Sequence, residues 1–180
     1  EFFVNGVSQG SPQTNSQINL ASLPVGSLEV TLLGYTEGCI GVSADTFSIQ
    51  VLPLPIVSLS SSVVGQSLCE GDTIVVFASG ATSYQFLLDN IAQGPSSTID
   101  SVIFTQLQTG QNILAVGSLN GCTDTSAIGL SFAIDSLPVV SLAASDPDQN
   151  ICEGENVVFT TSGASQYQFF LDVIPICPFS

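Results

Sequence analysis

The stretch that decides the fold runs from Cys69 to Asp89 and reads CEGDTIVVFASGATSYQFLLD. The same pattern returns 83 residues later, from Cys152 to Asp172, as CEGENVVFTTSGASQYQFFLD. Each copy opens on a Cys-Glu-Gly turn, continues into an apolar run and ends on an aromatic alternation. Repetition at a fixed spacing is the signature of a repeat protein. The chain is therefore predicted to contain copies of one unit.

Three further blocks recur in the same order. They are PIVSL from residue 55 and PVVSL from residue 138, Gly-Cys at 38–39 and 121–122, and FFVNGV from residue 2 against FLLDNI from residue 86. The last pair has one extra residue in its spacing. The predicted domains are the C-terminal part of a repeat at 1–55, a complete repeat at 56–138 and the N-terminal part of a third repeat at 139–180.

Within the complete repeat the residue pattern favours strands and shows little helical periodicity. Strands are predicted at 56–59, 73–79, 83–88, 91, 98–104, 111–117 and 127–134. About seven strands with frequent turns are typical of an antiparallel Greek-key sandwich. The sequence therefore predicts an all-β fold made of tandem β-sandwich domains, with the Leu-Pro-Leu-Pro segment at 52–55 as a stiff linker.

The composition excludes several classes of function. The 180 residues include 15 Asp and Glu but no Lys, Arg or His, which gives a formal net charge of −15. No positive side chain can neutralise phosphates, so nucleic-acid binding is not predicted. No histidine or lysine can act as a general base, and the carboxylates scatter over predicted loops, so no enzyme is predicted. The longest apolar runs are too short for membrane insertion, and the absence of a basic signal-peptide region at residue 1 favours a mature or excised piece.

The cysteines favour disulfide bonds in an exported protein over a zinc site, since there is no CxxC and no histidine. Cys69 precedes and Cys122 follows two predicted strands that face each other across the core of an immunoglobulin-like sandwich. A Cys69–Cys122 disulfide is therefore predicted, with two free buried thiols as the alternative. By the same logic Cys39 and Cys152 pair outside this chain or with a neighbouring copy, and Cys177 has no assigned role.

The two partial repeats are complementary, since residues 139–172 carry the first strands of a repeat and residues 2–51 the last ones. One interpretation is an excerpt of a longer array that is cut within its repeats. The other is end-to-end polymerisation, in which the end of one chain and the start of the next complete one repeat through a Cys152–Cys39 bond.

The sequence contains two candidate binding sites. Asp146, Asp148 and Glu153 supply closely spaced oxygen ligands for Ca²⁺, although a solvated loop is the alternative and no EF-hand pattern is present. Tyr84 and Phe86 share one strand face, where they could form a sugar-binding platform or, more simply, part of the core. No other cofactor is predicted.

The ordered blocks Cys-Glu-Gly, Ser-Gly-Ala-x-x-Tyr-Gln-Phe-x-Leu-Asp and Asn120-Gly121-Cys122 resemble the PKD-like and immunoglobulin-like repeats of very large Bacteroidetes surface proteins. These include gliding-motility adhesins and related proteins exported by type IX secretion. The resemblance covers nearly the whole chain apart from residues 173–180. It implies a long extracellular fibre of tandem Ig-like, PKD-like Greek-key sandwiches at the cell surface. It also implies O-glycosylation of Asp-Ser/Thr-aliphatic sites, which here are Ser136, Ser101 and Thr73, with Ser136 the most accessible.

Together these features predict a non-enzymatic structural or adhesive module of a disulfide-linked extracellular filament. Its expected partners are adjacent repeats or like subunits, and surface polysaccharide or other components of the cell surface. The alternative is a glycan- or Ca²⁺-binding module at the loop end of a sandwich domain.

Overall fold

The computed structural model of the protein describes residues 1–43, 45–65, 67–148 and 150–176. This part is all-β with several antiparallel sheets, as predicted, and none of its residues is helical. Its strands are β1 (Phe2–Val4), β2 (Val7–Ser8), β3 (Gly26–Thr36), β4 (Cys39–Val42), β5 (Phe47–Val51), β6 (Ser58–Ser61), β7 (Ser67–Cys69), β8 (Thr73–Ser79), β9 (Ser83–Leu88), β10 (Ile91–Ala92), β11 (Ser101–Thr105), β12 (Ile113–Leu119), β13 (Cys122–Thr125), β14 (Ala133–Asp135), β15 (Ser141–Ala144), β16 (Phe159–Ser162), β17 (Phe170–Leu171) and β18 (Ile174–Pro175).

The chain forms two compact units. The first contains Glu1–Val64, Ile74–Phe104 and Gln111–Ser131, and the second contains Gly65–Thr73, Thr105–Gly110 and the described residues from Phe132 onward. The first unit holds three sheets, with strand orders β2-β1-β3-β4, where β5 also pairs with β3, then β10-β9-β12-β13, and β11-β8-β6. The second holds the parallel pair β7–β14 and the antiparallel pairs β15–β16 and β17–β18. The domain limits predicted from the repeats stay a prediction.

The best-developed core belongs to the middle repeat. Every second residue of β8 is buried, at Ile74, Val76 and Ala78, because successive strand residues point to opposite faces of a sheet. The same alternation buries Tyr84 and Phe86 in β9, and it continues in β12 at Ile113 and Ala115. These residues therefore give each of the two sheets an apolar inner face.

The two inner faces approach each other at Gly117. A Cβ added to Gly117 of β12 would lie 2.5 Å from Cγ2 of Val57 and 2.7 Å from Cβ of Ala81. Val57 comes directly before β6, and β6 and β12 are in contact. Only a residue without a side chain fits here, and the arrangement is consistent with a β-sandwich.

The pairs of residues that face each other in neighbouring strands recur 83 residues apart, as the sequence motifs do. Ser58 pairs with Ser79 between β6 and β8, and Ser141 pairs with Ser162 between β15 and β16. A second set of equivalent pairs closes a hairpin in each of the three copies: Leu88–Ile91 between β9 and β10, Leu171–Ile174 between β17 and β18, and Val4–Val7 between β1 and β2. A third set closes a hairpin in two copies: Leu119–Cys122 between β12 and β13, and Thr36–Cys39 between β3 and β4. The three copies therefore share one strand register.

The strand predictions at 73–79 and 83–88 are confirmed as β8 and β9. The predicted strands at 56–59, 98–104 and 111–117 lie one to three residues further along the chain, as β6, β11 and β12.

The prediction of one strand at 127–134 is wrong. Only Ala133–Asp135 is a strand there, and the strand that pairs along β12 is instead Cys122–Thr125. The cause is the two-residue turn Asn120-Gly121, whose positive φ angles of 52° and 85° match a tight hairpin. The short strand β7 was not predicted.

Candidate functional site

The three repeats differ most in their inner faces. In the first repeat, Phe2, Leu32 and Gly34 are equivalent to Phe86, Ala115 and Gly117 of the middle repeat, and we call this surface the N-terminal face. In the third repeat, Val140, Leu142 and Phe159 are equivalent to Val57, Leu59 and Val76, and we call this surface the C-terminal face. Each face lies beside an open groove, where the middle repeat has a second sheet.

The groove at the N-terminal face has a volume of about 640 Å³. It is lined by Glu1, Phe2, Pro12, Gln13, Thr14, Asn15, Ser16, Leu32, Leu33, Gly34 and Tyr35. Leu32 is 39% exposed, whereas its equivalent Ala115 is 0% exposed. Among the residues that the structure describes, a Cβ added to Gly34 would meet only the carbonyl oxygen of Gly41, at 3.9 Å. The space that Val57 fills above Gly117 is therefore open above Gly34.

The carboxylate of Glu1, in the lining of this groove, accepts two hydroxyl hydrogen bonds. Ser8 Oγ donates a hydrogen bond to Glu1 Oε1 at 2.6 Å, and Tyr35 Oη donates one to Glu1 Oε2 at 2.9 Å. These donors stabilise the ionised carboxylate and hold the pKa of Glu1 below its usual range, with Ser8 as the larger cause. The same bond raises the pKa of Tyr35, because ionisation would remove its donor to Glu1.

The groove at the C-terminal face has a volume of about 530 Å³. It is lined by Leu142, Ala143, Ala144, Asp146, Pro147, Ile151, Val157 and Phe159. Phe159 is 50% exposed, whereas its equivalent Val76 is 0% exposed. Val140 is 55% exposed, whereas Val57 is 7% exposed. The third repeat therefore exposes side chains whose equivalents in the middle repeat are buried.

The hairpin that carries this face is built like its middle-repeat equivalent. The hydroxyls of Ser58 and Ser79 are 2.8 Å apart, and those of Ser141 and Ser162 are 2.7 Å apart. Gly80 has φ +94°, and a Cβ there would collide with the carbonyl oxygen of Ile56. Gly163 has φ +98° and would collide in the same way with the carbonyl oxygen of Val139.

After each of these two hairpins, a tyrosine hydroxyl forms hydrogen bonds with the backbone of the turn, which we call the tyrosine brace. Ala81 N donates to Tyr84 Oη at 2.9 Å, and Tyr84 Oη donates to Ala81 O at 2.7 Å. Ala164 N donates to Tyr167 Oη at 2.8 Å. Tyr84 and Phe86 are buried, which confirms that they belong to the core rather than to an exposed platform.

The acidic residues before the second strand of the middle and third copies accept hydrogen bonds within turns. Cys69 N donates to Asp72 Oδ2 at 2.9 Å, and Cys152 N donates to Glu155 Oε2 at the same distance. Such side-chain to backbone bonds are typical of turns that precede a strand.

The described cysteines Cys39, Cys69, Cys122 and Cys152 carry free thiols, and Cys177 lies outside the described residues. Cys69 ends β7 and Cys122 begins β13. Because neither cysteine is in a disulfide bond here, the Cys69–Cys122 disulfide stays a prediction, as does the pairing of Cys39 and Cys152 beyond the chain.

Of the calcium candidates, Asp146 and Asp148 lie together. Asp148 N donates to Asp146 Oδ1 at 3.2 Å, and a side-chain hydrogen bond with Asp146 lowers the pKa of Asp148. In the part of the chain that the structure describes, no three metal-ligating side chains, Glu153 included, form a group that could hold an ion. Calcium binding stays a prediction.

The three candidate glycosylation sites differ in exposure. Ser136 is exposed and lies outside the strands, Thr73 is exposed at the start of β8, and Ser101 is half-buried at the start of β11. Glycosylation at these three residues stays a prediction.

No protein-family profile matches the chain, and no curated protein is significantly similar to it. Within the described residues there is also no helix with the length and apolarity needed to cross a bilayer. The residues that matter most for the open faces, Gly34 and Val140, were not singled out in the sequence. The signal was available, because each stands 83 residues from an equivalent, Gly117 and Val57, that packs across the core.

Proposed function

We propose that the protein is a non-enzymatic structural and adhesive module, an array of sandwich repeats within an extracellular fibre. The observation that carries the proposal is the shared register of the three copies, in which equivalent residues pair in equivalent strands. A structural unit that recurs along the chain in one strand register suits a protein whose task is length.

An immunoglobulin-like Greek key is the topology that best accounts for the middle repeat. The sheet orders β11-β8-β6 and β10-β9-β12-β13 correspond to strands E-B-A and C′-C-F-G of such a sandwich. In this assignment the parallel pair β7–β14 combines a second part of strand A with the end of strand G. The PKD-like resemblance of the sequence motifs agrees with this assignment.

Mechanical load is the function that this architecture would serve. Each repeat would resist extension through its antiparallel ladders and through the predicted Cys69–Cys122 bond. The Pro-containing segments before Val57 and Val140 would act as stiff spacers between repeats. A net charge of −15 without any basic residue would keep neighbouring fibres apart.

The cell surface is the proposed location, and it rests on the resemblance to surface repeats exported by type IX secretion and on the disulfide pattern. Adjacent repeats, like subunits and surface polysaccharide are the proposed partners. O-glycans on Ser136, Ser101 and Thr73 are proposed on the same basis.

Single-molecule extension of the full chain tests the mechanical role. Unfolding of one complete repeat should release at most about 290 Å of contour length, since an extended residue spans about 3.5 Å. A force peak with that release supports the load-bearing role, and featureless extension would overturn it. Specific, saturable binding on a glycan array would favour the alternative, a glycan-binding module. Labelling of intact cells with an antibody against the chain tests the surface location.

A further inference from the structure

Two Asn-Gly pairs occur in the sequence, and each forms the two-residue turn of a hairpin. Asn5-Gly6 connects β1 to β2, and Asn120-Gly121 connects β12 to β13. Their φ angles are alike, at 48° and 75° in the first turn and 52° and 85° in the second. Positive φ at both central residues is the geometry of the tight hairpin turn that favours Asn-Gly. The two turns therefore share one sequence and one set of φ angles.

The two asparagine side chains differ in how they are held. Asn5 Oδ1 accepts a hydrogen bond from Glu29 N at 2.8 Å, and Asn5 N donates to Glu29 O at the same distance. These bonds fix Asn5 and its amide to the neighbouring strand β3. Asn120 and Gly121 are both exposed, and in the part of the chain that the structure describes no hydrogen bond holds the Asn120 amide. The Asn120 amide is therefore the freer of the two.

An exposed Asn-Gly pair can modify itself, because glycine has no side chain to keep its nitrogen away from the preceding amide. Hydroxide removes the proton from Gly121 N, and this nitrogen then forms a bond to Cγ of Asn120. The Cγ–Nδ2 bond breaks, and the nitrogen leaves as ammonia after taking a proton from water. Water next opens the cyclic imide. Opening at Cγ gives aspartate, whereas opening at the main-chain carbonyl carbon gives isoaspartate.

We infer that Asn120 is a site of spontaneous deamidation in the folded chain, whereas Asn5 is protected by its bonds to Glu29. Ring closure at either pair requires the asparagine amide to rotate towards the nitrogen that follows it. At Asn5 this rotation breaks the bond from Glu29 N, which costs the free energy of one hydrogen bond. Each event at Asn120 adds one carboxylate to a chain that already carries a net charge of −15. The inference does not depend on the proposed function.

The first repeat shows that this turn accepts a carboxylate. The equivalent turn between β3 and β4 is Glu37-Gly38, with φ angles of 50° and 86°. It is closed by the same strand register as the turn between β12 and β13. Conversion of Asn120 to aspartate should therefore preserve the hairpin. Isoaspartate lengthens the main chain within the two-residue turn, so this product should disturb the pairing of Leu119 with Cys122.

The test compares the two asparagines in one sample. The purified full chain is incubated under reducing conditions at mildly alkaline pH in heavy-oxygen water, digested with chymotrypsin and analysed by mass spectrometry, since deamidation incorporates oxygen from water. A parallel sample is incubated in guanidinium chloride. In the folded chain Asn120 should react about 5-fold faster than Asn5 or more, the ratio that one neutral hydrogen bond supports. In denaturant the two rates should be nearly equal, because glycine follows both asparagines.

Two variants separate the turn from its surroundings. Glu37→Asn places an Asn-Gly pair in the equivalent turn of the first repeat, so this variant should gain a second site that reacts about 5-fold faster than Asn5 or more. Asn120→Gln is the matched control, because its longer side chain would have to close a larger and less favourable ring, and fast reaction at this position should disappear. Circular dichroism checks that both variants are folded.

Faster reaction at Asn120 than at Asn5, seen in the folded chain and lost in denaturant, supports the inference. Equal rates in the folded chain, or faster reaction at Asn5, would overturn the protective role of the Glu29 bonds. A preference for Asn120 that persists in denaturant would overturn it as well, since the fold would not be its cause. An Asn120 that stays intact while the denatured chain reacts completely would overturn the modification site itself.

Discussion

The middle and third repeats contain hairpins of the same register and nearly the same local bonds, yet one hairpin is buried and the other is exposed. The serine pair, the glycine after the second strand and the tyrosine brace occur in both. Val76 is nevertheless fully buried, while Phe159 at the equivalent position is half exposed. Local geometry is therefore independent of the second sheet, whereas burial depends on it.

The first repeat shows the converse. Its strand β3 pairs with β1 and β4 as β12 pairs with β9 and β13, but Leu32 remains accessible. A strand ladder is satisfied by backbone hydrogen bonds within one sheet, while an apolar face needs a second layer. Four predictions use this difference, in order of expected effect.

The disulfide comes first. If Cys69 and Cys122 pair under oxidising conditions, the bond should stabilise the middle repeat by about 4 kcal/mol, because it closes a long loop in the unfolded chain. Urea unfolding with and without reductant measures this difference. Cys69→Ser combined with Cys122→Ser should abolish the response to reductant, and Cys39→Ser should preserve it. Equal stability of the oxidised and reduced wild type would contradict the predicted pairing.

Core truncation comes second. Ile74→Ala should destabilise the middle repeat by about 3 kcal/mol, because the side chain is fully buried and leaves a cavity. The equivalent change Val157→Ala should cost much less, since Val157 is only half-buried at the edge of a groove. Hydrogen exchange of the β8 and β16 amides at low protein concentration resolves the two repeats. Similar costs at both sites would show that the third repeat is closed in solution.

The glycine after β8 comes third. Gly80→Ala should cost about 2 kcal/mol, because it adds a collision with the Ile56 carbonyl to a strained positive φ. Gly71→Ala is the matched control, with a similar φ of 89° but no atom within 4 Å of the new Cβ. In thermal unfolding, the melting temperature of Gly80→Ala should be lower than that of Gly71→Ala. The reverse order would mean that the collision is relieved by a shift of the chain.

The tyrosine brace should have the smallest effect. Tyr84→Phe removes an hydroxyl that both accepts from and donates to the backbone of Ala81, at a cost of about 1 kcal/mol. Tyr167→Phe should cost less, since that side chain is half-buried and water can replace the lost partner. Urea midpoints of the two variants test this order, and a larger loss for Tyr167→Phe would contradict it.

Much of the local structure could be predicted from the sequence. The runs at 73–79 and 83–88 combine β-branched or aromatic residues with turn residues at both ends, and they are strands with those bounds. The strand at Cys122–Thr125 follows the Asn120-Gly121 hairpin turn, but its polar residues give a weaker strand pattern than the apolar run at 127–134. Of the candidate site residues, Tyr84 and Phe86 lie in the core, because the strand face that they share is buried.

By itself, the sequence determined the repeat and the strands at 73–79 and 83–88, because turns and alternating side chains act over a few residues. Only the tertiary structure decided which inner faces are covered and which remain open. Val57 and Val140 occupy equivalent positions but differ in exposure, because burial requires a second sheet. That sheet is formed by residues distant in the sequence, so the residues around either valine do not reveal whether it is present.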